Sequence, residues 1–354
     1  MPSELCSVFI ELLPEFGWSI DNKTVYGPGS ILQGYVKLKT IYPLPIKTVR
    51  IAFYADEAMI TGSIMTAKHT LFSTQTTLWD STQDKSLLSN HLPFIIQMPM
   101  IQFPPSLKAR IYQCNFQLVA IVDTSCNTAI KRKIPVRCMP FIQTNRLTTP
   151  LILSTQDSLL FVQLKMTATE FIPGDIIPLN LHVRYHLDPK QQKRRSRCVV
   201  VRLQIIQTIS VKIFDDVSDY QQIVASHKSS ILTSDDDSDN ADDENHLELQ
   251  VPTDLPSSCD YGNMVNISYR LQVSIEQRGP LGGIWNDIVQ FKDLPIKIGT
   301  LTYGVQPSRQ LKYYSQYKVV DNKVTGVPYP IFMKFIEHDD VLPPYDSVRL
   351  PSYE

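Results

Sequence analysis

The residues best placed to do specific chemistry stand near the C-terminal end, where Leu342-Pro343-Pro344-Tyr345 and Leu350-Pro351-Ser352-Tyr353 both fit the pattern Leu/Pro-Pro-x-Tyr. That pattern is the ligand of WW domains, and its chemistry is recognition. Proline pre-orders an extended left-handed helix, so little entropy is lost on docking. The proline ring packs between aromatic side chains of the WW groove while the tyrosine enters a neighbouring pocket. Asp339 and Asp340, just upstream, complement a basic groove. Four residues, Asp346–Arg349, separate the motifs. Fully extended they reach ~14 Å at ~3.5 Å each. Two WW domains of one partner are therefore not expected to occupy both motifs together, and rebinding of one domain between adjacent motifs is the expected gain. Only Glu354 follows the second motif, which makes Tyr345 the stronger expected anchor over Tyr353. Val327-Pro328-Tyr329-Pro330 does not fit, because its tyrosine follows proline directly.

Two charge runs come next. Ser234–Glu244 reads SDDDSDNADDE, with Ala241 its one apolar residue. A run of this kind cannot enter a core and is expected as a disordered insert between strands, spanning about 228–246. Ser234 and Ser238 are then targets for an acidophilic kinase. Lys190–Arg197 (KQQKRRSR) carries five cations and reads as a hairpin tip. Lys193, Arg194, Arg195 and Arg197 there could contact phosphate or a lipid headgroup. The plainer reading of both runs is a solvated loop.

A search for catalytic chemistry finds little. No phosphate-cradling glycine loop, nucleophile elbow or HExxH metal motif occurs. His182 and His186 are four apart, but in a strand-like run that spacing separates them by ~13 Å at ~3.3 Å per residue. One metal would then demand strongly converging side chains, so no metal site and no cofactor is expected. Asn22-Lys23-Thr24 and Asn266-Ile267-Ser268 match the glycosylation pattern, the second inside a predicted strand. The six cysteines are scattered with no C-x-x-C pair, as expected of small buried residues in a reducing compartment. Lys+Arg number 34 and Asp+Glu 35 in 354 residues, a balance that argues against nucleic acid as a partner. Met1-Pro2-Ser3-Glu4 does not open a secretory signal, and no apolar run approaches the ~20 residues of a membrane helix. A soluble, cytoplasmic chain is expected.

The elements that carry these residues read as short strands. β-Branched and aromatic residues dominate runs between Pro, Gly, Asn and Asp clusters, the signature of an all-β chain. Leu32–Lys39, Val49–Tyr54, Phe116–Val122, Ser158–Thr169, Ile176–Tyr185 and Val199–Phe214 are the predicted strands. Ala58–Lys68 is the stretch best suited to a short helix. The strongest organising signal is an internal repeat. Tyr26-Gly27-Pro28-Gly29-Ser30-Ile31 resembles Phe171-Ile172-Pro173-Gly174-Asp175-Ile176, and each Pro-Gly suits a type II turn. Leu92-Pro93-Phe94 to Pro99 resembles Leu249–Pro252; Phe116-Gln117-Leu118 resembles Tyr269-Arg270-Leu271; Lys133–Val136 resembles Asp293–Ile296. The offsets grow in order (174 − 29 = 145, 269 − 116 = 153, 295 − 135 = 160), as in a duplicated domain whose second copy gained loop residues. A period this long means two tandem domains. The boundary is expected within Phe141–Pro150, giving units 1–145 and 146–303 and a flexible tail 304–354 with the two motifs.

Together the YGPGSILQGYV, FPPSLKARIYQCNFQLVAIV, FIPGDIIPLNL and LPIKIGTL segments resemble the N- and C-domains of arrestins. With the tyrosine motifs the chain resembles alpha-arrestins, the arrestin-related trafficking adaptors. That resemblance implies two tandem immunoglobulin-like β-sandwiches and no catalysis. It implies an adaptor between membrane cargo, a transporter or receptor, and a WW-domain HECT-type ubiquitin ligase. Peripheral recruitment to the plasma membrane or endosomes, followed by endocytosis and sorting of the cargo, is the implied setting. A retromer-like cargo-sorting coat subunit and a β-sandwich hydrolase are the alternatives.

Overall fold

The two Pro-Gly turns adopt the same conformation and open the same ladder. Gly29 has φ 75° and Gly174 φ 94°, the left-handed region that glycine reaches without a Cβ clash. The Ser30 amide donates to the Gly27 carbonyl, and the Asp175 amide to the Ile172 carbonyl, both at 3.1 Å. The small polar residue after each glycine locks its turn from the other side. The Gly27 amide donates to Ser30 Oγ at 2.9 Å, and the Ile172 amide to Asp175 Oδ2 at 2.8 Å.

The computed structural model describes residues 6–334 except 15–17, 21–22, 41–45, 83–90, 127, 157–159, 186–196, 214–215, 234–244, 279–283 and 322; residues 1–5 and 335–354 fall outside that description. The first half supplies β1 (Cys6–Leu12), β2 (Trp18–Ile20), β3 (Lys23–Val25), β4 (Ile31–Thr40), β5 (Ile46–Thr61), β6 (Ile64–Asp80), β7 (His91–Gln97), β8 (Ile101–Gln102), β9 (Leu107–Lys108), β10 (Tyr112–Thr124) and β11 (Ala129–Val136). The second half supplies β12 (Leu151–Gln156), β13 (Leu160–Met166), β14 (Glu170–Phe171), β15 (Ile176–Tyr185), β16 (Arg197–Ile213), β17 (Asp216–Thr233), β18 (Asn245–Gln250), β19 (Val265–Arg278) and β20 (Ile284–Ile298). A returning segment adds β21 (Lys312–Tyr313), a 3-10 turn (Tyr314–Gln316), β22 (Val319–Val320), β23 (Lys323–Val324) and β24 (Ile331–Met333).

Each half forms two facing sheets. The first pairs β1-β4-β7 against β11-β10-β5-β6; the second pairs β12-β13-β15-β18 against β14-β20-β19-β16-β17. The registers establish the duplication. Ile31 faces Gln97 in the first copy and Ile176 faces Gln250 in the second. Gln117 opposes Pro135, as Arg270 opposes Pro295. Tyr26 bridges Cys138 in parallel, as Phe171 pairs in parallel with Ile298. These pairs reproduce the offsets 145, 153 and 160. One pairing shifts: the register matches Leu249 to Ile96, not to Leu92.

Alternation builds the cores. Leu32, Val36 and Leu38 of β4 face inward, as do Val49, Ile51 and Phe53 of β5. Val162 and Leu164 of β13, Leu203 and Ile205 of β16, and Leu271 and Val273 of β19 do the same in the second sandwich. Each such burial contributes on the order of 2 kcal/mol before the entropy of ordering.

Three expectations are corrected. Ala58–Lys68 is not helical: β5 runs on to Thr61, Gly62 turns the chain at φ 64°, and β6 starts at Ile64. Ala58 lies between Gln113 of β10 and Lys68 of β6, so pairing on both sides overrides local helix preference. The acidic insert is shorter than 228–246, because β17 continues to Thr233 and β18 starts at Asn245. Residues 304–334 are not a loose tail. β24 pairs with β7, β23 with β6 and β21 with β8, all in the first sandwich. An open sheet edge offers unpaired backbone groups, and the returning chain takes them up.

At the far end of the first sandwich, Asp123 accepts from Thr48 Oγ1 at 2.7 Å and from Arg50 at 2.9 Å. The Thr48 hydrogen bond first, then Arg50, hold its carboxyl below the usual aspartate range. A depressed folded-state pKa adds stability that is present above the unfolded value and fades as pH falls through the folded one. Asp123→Asn should therefore lower the urea midpoint at pH 7, and the gap to the parent should close as the pH falls through the carboxylate range.

Candidate functional site

The best-built polar site lies where the first sandwich, the second sandwich and the returning segment meet. Along β5 every second residue is buried up to Ala55; then Asp56, Glu57 and Ala58 are all buried. β5 keeps an unbroken register with β10 here, so Glu57 takes the next inward position after Ala55; on its other side β6 bulges, with Leu71 as an extra residue between the partners of Ala55 and Asp56. A bulge re-aims side chains, and here it accompanies a fully buried acid, Glu57 at 0% exposure.

Burying a carboxyl is costly unless hydrogen bonds replace its water. Tyr112 of β10 donates to Glu57 Oε2 at 2.9 Å. Tyr314, in the 3-10 turn of the returning segment, places its hydroxyl 3.3 and 3.4 Å from the two carboxyl oxygens. The same hydroxyl accepts the Asn263 amide of the second sandwich at 2.8 Å. Burial, then the Glu57 carboxyl, raises the Tyr112 and Tyr314 hydroxyls well above the ordinary tyrosine range. Both rings therefore stay protonated and serve as donors. His69 of β6 approaches Glu57 Oε1 to 3.8 Å, and its buried Nδ1 has no hydrogen-bond partner among the described residues.

Aromatic packing extends the junction. Tyr314 lies 6.1 Å from Phe103, Phe103 lies 5.3 Å from Phe72, and Phe72 lies 5.1 Å from Phe53, ring centroid to centroid. Tyr261 of the second sandwich donates to the Phe103 carbonyl at 2.9 Å. The connection between the sandwiches is tied down as well. Gln102 exchanges two hydrogen bonds with the backbone of Phe141. Thr300 Oγ1 donates to the Pro140 carbonyl at 2.6 Å and accepts from the Ile142 amide at 2.9 Å. Gly299 leaves room for this crossing, since a Cβ there would sit 2.4 Å from Thr144 Cγ2.

A groove of about 940 Å³ borders the junction between the β5–β6 hairpin and the returning segment. Met65, Lys68, His69, Lys212, Ile213 and Val319 give it a mixed apolar and basic lining, and among the described residues Asp321 is its single acid. Burial pushes the Cys259 thiol up to about 12 and raises Cys138 further, so both stay neutral. Cys114, Cys138 and Cys259 are buried as expected, whereas Cys126 is exposed in the turn after β10.

Most residues singled out from the sequence lie elsewhere. Leu342, Pro343, Pro344, Tyr345, Leu350, Pro351 and Tyr353 fall outside the described residues, as do Ser234, Ser238, Lys193, Arg194 and Arg195. Arg197 opens β16 and pairs with Thr233, the residue before the acidic run. The basic and acidic runs therefore leave the same end of one hairpin. His182 lies in β15, 3.2 Å from the Arg184 side chain, and His186 falls outside the described residues. Sequence reasoning missed the Glu57 junction. Its one visible signal was an Asp-Glu pair where the alternation of β5 calls for one apolar residue.

Residues 156–303, nearly the whole second sandwich, match the family model of the arrestin (or S-antigen) C-terminal domain. Over that span the chain has an arrestin-like fold. The duplicated registers extend that fold to the first sandwich. No curated protein matches the chain.

Tyr314→Phe removes the acceptor of the Asn263 amide and a donor to Glu57. It should cost ~1–3 kcal/mol of stability and expose the segment after Leu301 to limited proteolysis. Tyr313→Phe, one residue away and 37% exposed, should change neither readout.

Proposed function

We propose that this arrestin-fold chain is a non-catalytic adaptor that links membrane cargo, a transporter or receptor, to a WW-domain HECT-type ubiquitin ligase. An arrestin domain suggests a role of the trafficking-adaptor type, and the match over 156–303 supports that level of the reading. The ligase follows from the Leu342–Tyr345 and Leu350–Tyr353 motifs. The observation that carries the combination is the return of the chain to the first sandwich. β24 ends at Met333 on the edge of β7. Eight residues (334 to 341) then precede Leu342, a span of at most ~28 Å at ~3.5 Å each. A ligase gripping Tyr345 is thereby held near the first sandwich, and the second remains free to face cargo.

Tyr345 should carry the interaction, because Asp339 and Asp340 stand just upstream of its motif and complement a basic WW groove. In a pulldown with isolated WW domains, Tyr345→Ala should weaken capture more than Tyr353→Ala, and a chain ending at Glu337 should not be captured. Equal capture of the shortened and full chains contradicts the ligase reading and favours a coat subunit that sorts cargo without it.

A further inference from the structure

The duplicated fold exposes one asymmetry. β6 of the first sandwich and β17 of the second are counterparts, each the hairpin partner of the strand beside it. β6 is flanked on its outer side by β23 of the returning segment. β17 is the last strand of its sheet, and among the described residues no strand pairs with its outer edge. A long open edge with apolar side chains is a template for another strand, and β17 shows Val217 at 60% and Ile223 at 57% exposure.

We propose that β17 is a self-association edge that pairs antiparallel with β17 of a second copy of this chain. The argument is charge complementarity of the strand with itself. Its first half carries Asp216 and Asp219; its second half carries His227 and Lys228. A two-fold axis beside Ile223 brings Asp219 of each copy opposite Lys228 of the other, so the contact forms twice.

Directly opposed residues in an antiparallel pair must share a face. Asp219 and Lys228 are nine apart (228 − 219) and would point to opposite faces of a regular strand. The register shift between Ile205 and Ile206 leaves one extra residue on β17 and corrects this. Asp219 lies opposite Ser210, and Lys228 opposite Arg202, an even separation on β16. Both side chains therefore project from the outer face. Tyr220, on the other face, is met by Arg110 of the first sandwich at 6.0 Å.

Within one copy Lys228 sits badly. Its cross-strand neighbour Arg202 has the same charge and turns instead to Glu276 at 3.4 Å. Like charges directly opposite destabilise a sheet. No acid pairs with Lys228 among the described residues, and a partner's Asp219 would supply one. A dimer also answers the close spacing of the motifs: two copies present two separated motif pairs, so a ligase with several WW domains gains avidity that one pair four residues apart does not offer. The dimer itself does not depend on the ligase reading.

Sedimentation velocity on the full chain over a range of concentrations tests the edge, using the parent, D219K, K228D and the D219K/K228D pair. The parent should form a salt-sensitive dimer. Each single reversal turns two attractions into two repulsions and should raise the dimer Kd about tenfold or more. The double reversal should restore association, which separates lost docking from lost folding. A parent that stays monomeric throughout overturns the proposal and leaves the edge to a foreign strand. Association indifferent to the single reversals, or not recovered in the double, overturns it equally.

Discussion

A carboxyl removed from water must be surrounded by donors or it destabilises the fold that buries it. Glu57 meets that condition with donors from separate parts of the chain: Tyr112 from the neighbouring strand β10 and Tyr314 from a turn more than 250 residues away (314 − 57 = 257). Tyr314 in turn engages the second sandwich through the Asn263 amide. The same few atoms therefore fix the returning segment and couple the two sandwiches. Once Tyr314 is seated, the short strands after it reach the edges of β6 and β7, and the point where the chain leaves the first sandwich follows. Each of those strands is too short to hold by itself, since a few ladder bonds scarcely offset the entropy of ordering the residues that make them.

The two halves share turns, registers and core alternation, and diverge where they meet other chain segments. In the first half a bulge accompanies a buried acid in a strand that is otherwise core. In the second half the matching strand, β16, keeps Ile209 and Val211 buried near its end, and its partner β17 stays on the sheet edge. Duplication supplied two equivalent frames. The junction arose where one frame's loop at Asn263 and the chain's return at Tyr314 converge on the other frame's bulge.

What could be read from the residues alone follows from how local each cause is. The Pro-Gly turns were legible because φ > 0 needs glycine and φ near −65° suits proline, whatever the surroundings. Leu32–Leu38 was legible because inward and outward positions alternate within a single strand. The tyrosine motifs were legible because a linear ligand carries its recognition in consecutive residues. Ala58–Lys68 misled because alanine, methionine and lysine favour a helix in isolation, while β10 and β6 decide the outcome from outside. Residues 304–334 misled because the edge-adding strands are only two or three residues long, too short to show an alternation in sequence. Glu57 was hidden among the chain's other acids, since its partners Tyr112 and Tyr314 are remote in sequence and only folding assembles them.

Hydrogen–deuterium exchange of the parent against Glu57→Gln tests the central claim most directly. Glutamine keeps the shape of the side chain but weakens it as an acceptor for both tyrosine hydroxyls. Amides of the returning segment from Lys312 to Met333 should lose protection, while those of β16 and β19 in the second core keep theirs. Unchanged protection across the returning segment would show that it is held without Glu57, and would contradict the account.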